Sequence, residues 1–273
     1  MIDLFGSDGR AAVERLARQR TLYAFDFDGT LAPIVERPSD ARAGDTTVAR
    51  MTALAVLVPT VLITGRSVAD LRQRIDFTPL HLVGNHGAEG VPDPLHRSIA
   101  DSVGSGSGDA AHREVVRGWL AQWPLAVATQ RADPGIVIEP KAYSLSIHYR
   151  KSDDHDAARR TIASAIARLD PPPRIIGGKC VFNLLPEGAP DKGSALRSLV
   201  QFEQCDAAFF IGDDLTDEAA FVDAPSSWVT VRVGAVADSA ARYFIADQRD
   251  IDRCIDLLVA TAGAQVARSR QVV

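Results

Sequence analysis

Two of the most apolar stretches in this chain run straight into carboxylates. Thr21-Leu22-Tyr23-Ala24-Phe25 leads into Asp26-Phe27-Asp28-Gly29-Thr30, and Ala207-Ala208-Phe209-Phe210-Ile211 leads into Gly212-Asp213-Asp214. Neither run alternates apolar with polar residues, so each suits a strand buried on both faces, the kind found in parallel sheets covered by helices. PTVLITG (59–65) is a third such run, and LHLVGNHG (80–87) is a fourth that ends in glycine. Helical spacing separates them, over 10–19, over 46–57 and after Ser67, where Asp70 completes a cap signal. Strand and helix in alternation predict an α/β fold with a doubly wound parallel sheet.

The middle of the chain has a different texture. GSGSGD (104–109) is turn-rich and predicts a hinge. A helix follows over 111–122, then LAVATQ (125–130), IVIEP (136–140) and SLSIHYR (144–150) read as strands of a more antiparallel kind. Asp153 to Leu169 is an amphipathic helix stopped by Pro171-Pro172-Pro173, and RIIGGKCVFNLLP (174–186) is a strand pair. After a second turn at 187–190 the first texture returns, with helices over 191–202 and 216–223, strands over 207–214 and 228–233, and a last helix near 250–260. The expected organisation is a core of 1–107 and 184–273 interrupted by an α+β domain over 108–183, which suits 273 residues at roughly 150 per domain.

Composition narrows the partners. Apolar residues are 46% and charged residues 24%, so the chain can bury a core and is not a disordered segment. A net charge of −5 carries no basic footprint, which argues against nucleic acid. The longest uncharged apolar-rich run, Met51–Gly65, is too short for a membrane span and is broken by Pro59. Asp3 and Asp8, with no long apolar run beside them, do not fit a secretory leader. Three cysteines (Cys180, Cys205, Cys254) without metal-type spacing point to reduced thiols and a cytoplasmic setting. Nothing in the sequence marks an oligomeric state.

Four strand ends carry the chemistry. Asp26 and Asp28 are two apart at the end of an apolar strand, where open α/β sheets bind ligands. Such a pair needs a cation or a shared proton, and a divalent metal would leave one carboxylate as a nucleophile and the other as an acid and base. The bland alternative is an Asx turn shaped by Asp28-Gly29. Asp213, Asp214, Asp217 and Glu218 offer oxygen ligands for a hard cation, or else decorate a helix start capped by Thr216. Thr64-Gly65-Arg66 can grip an oxyanion or simply cap a helix. Lys192 can stand beside the same anion or be an ordinary surface lysine. Together they form an inventory for phosphoryl transfer through an aspartyl-phosphate, and no Ser-His-Asp order or zinc signature competes with it.

This set, in this order, resembles the haloacid dehalogenase superfamily of phosphatases, in which a large cap is inserted between the second and third motifs. DFDGTLAPI (26–34), TGRS (64–67), GNHGAE (84–89), SLSIHYR (144–150), KCVF (179–182), PEGAPDKGSAL (186–196) and GDDLTDE (212–218) narrow the resemblance to the trehalose-6-phosphate phosphatase family over about residues 21–260. The resemblance implies a hydrolase core in which Asp26 is the nucleophile and Asp28 the general acid and base. It implies Mg²⁺ at Asp26, Asp28 and Asp213, with Asp214 and Asp217 as further ligands, and phosphate held by Thr64, Gly65 and Lys192. A small phosphosugar would be recognised by cap residues Glu139, Lys141, Ser144, His148, Arg150 and Asn183, with Arg66, His86 and Glu187 as further substrate-side candidates. Closure of the cap would make the hinges at 104–109 and 187–190 matter to turnover. The family places a glutamate where this chain has Asn183, which keeps hydrogen bonding and drops the charge. A phosphatase of a related phosphorylated disaccharide, a phosphosugar mutase and a non-catalytic sugar-phosphate-binding protein are the competing readings. GDDLTDE and HYR oppose the mutase, and the presence of both Asp26 and Asp28 opposes the binding protein. Read without the resemblance, His148 is a structural histidine, and Trp119 and Trp123, one helical turn apart, are packing residues.

Overall fold

A computed structural model describes residues 1–92, 107–127, 133–178, 180–222 and 224–271. The chain divides into two compact units, Met1–Arg97 with Asp191–Val273, and Ser98–Pro190. The first unit begins with β1 (Ile2–Asp3), α1 (Ser7–Leu16), β2 (Thr21–Phe25), α2 (Asp45–Leu57), β3 (Thr60–Ile63), α3 (Val68–Arg72) and β4 (His81–Val83). The inserted unit holds α4 (Ser107–Val127), β5 (Val137–Pro140), β6 (Leu145–His148), α5 (His155–Ile166), β7 (Arg174–Gly178) and β8 (Val181–Leu185). The first unit then resumes with α6 (Lys192–Phe202), β9 (Ala207–Gly212), α7 (Glu218–Phe221), β10 (Val229–Val233), β11 (Tyr243–Ile245) and α8 (Ile251–Gln271).

Seven strands form one all-parallel sheet in the order β1-β11-β10-β9-β2-β3-β4. Every residue of β2, β3, β9 and β10 is buried, which is why the first three show no alternation, whereas β10, VTVRV, buries its alternating Thr230 and Arg232 as well. From β2 the chain steps one way through α2 to β3, and from β9 it steps the other way through α7 to β10. Right-handed crossovers in opposite directions place their helices on opposite faces. Consistent with this, α8 packs on α1 and α2, whereas α6 packs on α7. The switch of direction falls between β2 and β9, whose register pairs Phe25 with Ile211. It is there that an open α/β sheet presents a crevice at its carboxyl edge.

The inserted unit is a four-stranded antiparallel sheet, β5-β6-β8-β7. Leu145, Ile147 and Leu184 meet Val116, Trp119 and Trp123 of α4 and Ile162, Ala165 and Ile166 of α5 in its core. The two tryptophans are packing residues, and Trp119 Nε1 donates to the Pro171 carbonyl at 2.7 Å.

Several boundaries differ from the sequence reading. Leu184 and Leu185, placed with the core, are the end of β8, because their partners Leu145, Ile175 and Arg174 all belong to the insert. The expected strand over 125–130 is helical as far as Val127, since the tryptophan stripe one turn apart carries α4 past Pro124; 128–130 lie outside the described residues. In the predicted hinge, 107–109 already belong to α4, and 104–106 lie outside the described residues. The final helix is α8, over Ile251–Gln271, longer than the span near 250–260 that was read for it. β1 and β11, at two and three residues, are too short to carry a periodic signal.

Gly193, in the first turn of α6, faces the backbone of α7, and a β-carbon built on it would lie 1.9 Å from the Ala219 carbonyl oxygen. Gly193→Ala is therefore expected to cost about 1–3 kcal/mol in urea unfolding, as overpacking does. Gly177→Ala, where a β-carbon meets nothing within 4 Å, serves as the control. Equal midpoints for the two variants would show that α6 and α7 can move apart.

Candidate active site

The register of β2 and β9 brings their outgoing residues level, and the Asp26 amide donates to the Ile211 carbonyl at 2.9 Å. Asp26 is thereby held at the centre of the sheet edge and is 3% exposed. Lys192 reaches it from the start of α6. Asp191 caps that helix: its side chain accepts from the Ser194 amide while Ser194 Oγ accepts from the Asp191 amide, both at 2.8 Å. Lys192 Nζ lies 2.7 Å from Asp26 Oδ1 and 2.7 Å from Asp217 Oδ1. It is 2% exposed, which rules out the ordinary surface lysine. Burial by itself lowers an ammonium pKa, but Asp217 and Asp26 outweigh it, so the pKa is raised and Lys192 stays charged.

Asp217 is fully buried, and its second oxygen accepts the Asp214 amide at 2.9 Å. That bond is the return half of a capping box, so Asp217 serves the start of this turn as well as Lys192, and Thr216 is not the cap. Asp214 caps the 3₁₀ turn Leu215–Asp217 instead. One oxygen each from Asp26, Asp213 and Asp217 falls within 4.8 Å of the others. Gly29, at φ +82°, makes room for this cluster, since a β-carbon there would lie 2.1 Å from Asp213 Oδ2. Burial, reinforced by Asp217 and Asp213 and opposed by Lys192, holds the Asp26 carboxyl well above the usual carboxylate range. Burial, then the charge of Asp217, pushes Asp213 up to about 7. Two buried carboxylates and a half-buried one against one ammonium leave negative charge uncompensated, and their all-oxygen donor set fits a hard divalent cation. Both oxygens of Asp217 already accept hydrogen bonds, so Asp26 and Asp213 are the freer ligands. The Asp28 and Asp214 side chains are not in this cluster.

Asp28 lies in a different setting. Its carboxylate is gripped by Arg66, with Nε 2.7 Å from Oδ2 and Nη2 2.6 Å from Oδ1. Arg66, expected on the substrate side, is thus an ion-pair partner of Asp28 in this structure. Thr64, one step past the end of β3, is fully buried, and its hydroxyl oxygen accepts the Arg66 amide at 3.2 Å. The Thr64 carbonyl accepts the His86 amide at 2.9 Å. Asn85 and His86 have φ of 48° and 59°, and the His86 ring packs over Gly65, leaving no room there for a side chain. The GNHG turn is therefore a backing for the Thr64-Gly65 loop.

The sugar-side candidates lie in the inserted unit. Direct pairing sets Glu139, Ser146 and Asn183 in one row across three strands, on one face of the sheet. Glu139 Oε2 is 2.8 Å from His148 Nε2 and 3.7 Å from Lys141 Nζ. Ser146 Oγ donates to Asn183 Oδ1 at 2.7 Å. Ser144 is buried beside them, at the turn where the Lys141 amide donates to the Ser144 carbonyl. Arg150 and Glu187 stand in exposed turns of the same unit.

Sequence reasoning passed over Ser146, Arg74 and Arg232, and read Asp70 only as part of a helix cap. Arg232 sits mid-strand in β10, buried, and its Nη1 donates to the Asp214 carbonyl and to Glu218 Oε1, both at 2.9 Å. It fixes the turn that carries Asp213 and Asp217. The signal was present: an arginine inside VTVRV on a buried strand must have a partner.

An all-parallel doubly wound sheet, an inserted α+β unit and an Asp-Lys-Asp centre at the switch point define the haloacid dehalogenase fold class. A family model of trehalose-phosphatases matches residues 24–248, and the chain belongs to that family. It is 30% identical over 222 residues to a trehalose-phosphate phosphatase of Mycolicibacterium paratuberculosis, covering 79% of this chain and 53% of that protein. It is 37% identical over 221 residues to an uncharacterized glycosyl hydrolase of Mycobacterium tuberculosis, covering 76% of this chain but 15% of that protein. The chain thus spans about half of the first of these relatives and 15% of the second. A solved trehalose-6-phosphate phosphatase related protein shares the fold, with TM-score 0.69, 24% identity and coverage of 89% of this chain and 99% of that one. So does the C-terminal domain of the Candida albicans trehalose-6-phosphate phosphatase, with TM-score 0.67, 22% identity and coverage of 92% and 96%.

Lys192→Met removes the ammonium from two buried carboxylates. It is expected to cost about 3–5 kcal/mol in chelator at about pH 8, and less at about pH 5, where the freed carboxyls protonate. Wild-type unfolding midpoints for this variant would contradict the pairing. A second prediction concerns Asp70, whose pKa falls to about 2 through its hydrogen bonds to Arg74 against the opposing effect of partial burial. A carboxylate depressed on folding stabilises above its unfolded value and loses that contribution as pH falls towards its folded one. The stability gap between wild type and Asp70→Asn should therefore be constant above about pH 5 and close on further acidification. A gap that does not narrow in acid unfolding curves would show that Asp70 is not held by charge.

Proposed function

We propose that this chain is a Mg²⁺-dependent phosphatase that hydrolyses a phosphorylated disaccharide, with trehalose 6-phosphate as the leading substrate. The observation that carries the reading is Asp26. One of its oxygens is fixed by Lys192, and no described residue donates to the other. A carboxylate so held presents one oxygen for attack on phosphorus, while the ammonium offsets charge developing on the phosphoryl group. The sugar oxygen leaves with a proton from Asp28, and Asp28 then takes a proton from the water that hydrolyses the aspartyl-phosphate. Asp26 and Asp213 are the residues to hold Mg²⁺, with the Asp28 carbonyl and the more committed Asp214 and Asp217 behind them. When bound, the cation supplies positive charge that compensates the phosphate and these carboxylates.

Thr64 and the Gly65 backbone are assigned to the phosphate, and Glu139, Lys141, Ser144, His148 and Asn183 to the sugar. Arg150 and Glu187 are retained as outlying candidates. The Ser146–Asn183 hydrogen bond at 2.7 Å favours a second reading, a related phosphosugar, because a neutral amide takes the place of the family's carboxylate. No helix among the described residues is long and apolar enough to cross a membrane, and the three cysteines are free thiols, which supports assignment to the cytoplasm.

The test is phosphate release from trehalose 6-phosphate, sucrose 6-phosphate and glucose 6-phosphate. Turnover is expected to need Mg²⁺, to favour a disaccharide ester and to fall by several orders of magnitude in Asp26→Asn. Asn183→Glu should reorder the substrates, and an unchanged order would remove that residue from specificity. Silence on every ester from the wild type would favour a binding protein over an enzyme.

A further inference from the structure

The grip on Asp28 is itself held from behind. Arg66 Nη1 donates to Asp70 Oδ2 at 2.7 Å, and Nη2 also donates to the Pro38 carbonyl at 2.8 Å. Asp70 in turn takes Arg74 on both oxygens, Nε at 2.9 Å and Nη2 at 2.6 Å, while Arg74 Nη1 donates to the Ser39 carbonyl. Residues 66, 70 and 74 are four apart, at the entry of α3, within it and in the turn just past its end, so the side chains line up along one side. The result is a row of alternating charges, Asp28, Arg66, Asp70 and Arg74, tied at two points to the 3₁₀ turn Pro38–Asp40.

We infer that Asp70 and Arg74 are positioning residues: they hold Arg66 so that its guanidinium fixes the plane and place of the Asp28 carboxylate. This rests on the phosphatase reading above. Asp28 sits on the loop after β2, its side chain is 33% exposed, and no other described residue holds its carboxylate. A lone exposed ion pair would not fix it, because a long arginine side chain gives up much rotamer freedom to hold one geometry. Here the arginine donates to three acceptors, is 10% exposed and lies over the Phe27 ring at 5.7 Å. Its direction is therefore set before substrate arrives. A general acid must stand within hydrogen-bond reach of the leaving oxygen, and a misplacement of about 1 Å costs on the order of 10²-fold.

The experiment compares Asp70→Asn, Arg74→Met and the charge-keeping Asp70→Glu with wild type, with folding of each checked by circular dichroism. Two esters are used, trehalose 6-phosphate and p-nitrophenyl phosphate. A sugar alkoxide needs a proton to leave, whereas a nitrophenolate does not. We expect Asp70→Asn and Arg74→Met to lower kcat on the sugar ester by about tenfold or more, with KM within about twofold. On the aryl ester kcat/KM, which reports only the steps through phosphoryl transfer to Asp26, should stay within about twofold, and Asp70→Glu should recover part of the loss. Equal losses on both esters, losses confined to KM, or wild-type rates in both variants would overturn the inference. Wild-type protein silent on both esters would instead remove the phosphatase reading, and this inference with it.

Discussion

The ammonium of Lys192, buried between Asp26 and Asp217, is the interaction on which the rest of the site depends. A charge taken out of water is tolerated only with partners of opposite sign in good geometry, and each partner here comes from a different part of the chain. Asp26 follows β2, Asp217 follows β9, and Lys192 opens α6 after the insertion. One bond pair thus locks together three loops at the carboxyl edge of the sheet. It also explains why Gly193 cannot carry a side chain, because the helix must come close to α7 for the ammonium to arrive.

The same centre is left with more negative than positive charge, and the chain answers this in two ways. At Asp28 the answer is built in, as Arg66 with its backing of Asp70 and Arg74. At Asp26 and Asp213 the chain supplies one ammonium, Lys192, which Asp26 shares with Asp217, and burial still drives both carboxyls to protonate or to take a further cation from solution. Two aspartates two residues apart therefore live in different electrostatic settings, Asp28 paired with Arg66 and partly exposed, Asp26 buried beside Lys192 and two further carboxylates. Arg232 and Glu218 hold the outer wall of this centre, fixing the turn rather than touching the cluster.

Much of this was legible in the sequence, and the reason is local. Apolar runs without alternation marked β2, β3 and β9, and the carboxylates at their ends marked the reactive edge. Ser67 and Asp70 announced the start of α3, and Ser67 does accept the Asp70 amide. The i,i+4 tryptophans identified a packed helix, although its extent through Pro124 did not show, because a proline reads as a break wherever packing is unknown. The two-residue β1 and three-residue β11 exist only because a sheet edge is there to receive them. Asp217 was read as a further cation ligand, with a helix-start residue as the alternative, since its local pattern fits both, and only the arrival of Lys192 makes it a buried ion-pair partner.

What the sequence determined by itself is the set of elements and the chemical inventory: a parallel sheet, an inserted antiparallel unit, and Asp26, Asp28, Thr64, Lys192 and Asp213 at strand and helix ends. Those follow from periodicity, capping and residue chemistry within a few neighbours. The tertiary structure alone decided who pairs with whom. It gave Asp26 and Asp217 to Lys192, gave Asp28 to Arg66, set Glu139, Ser146 and Asn183 in one row, and turned Arg232 inward. Each of those choices depends on strand register and on helices docking across tens or hundreds of residues. Charge and burial become specific only when the chain has closed those distances.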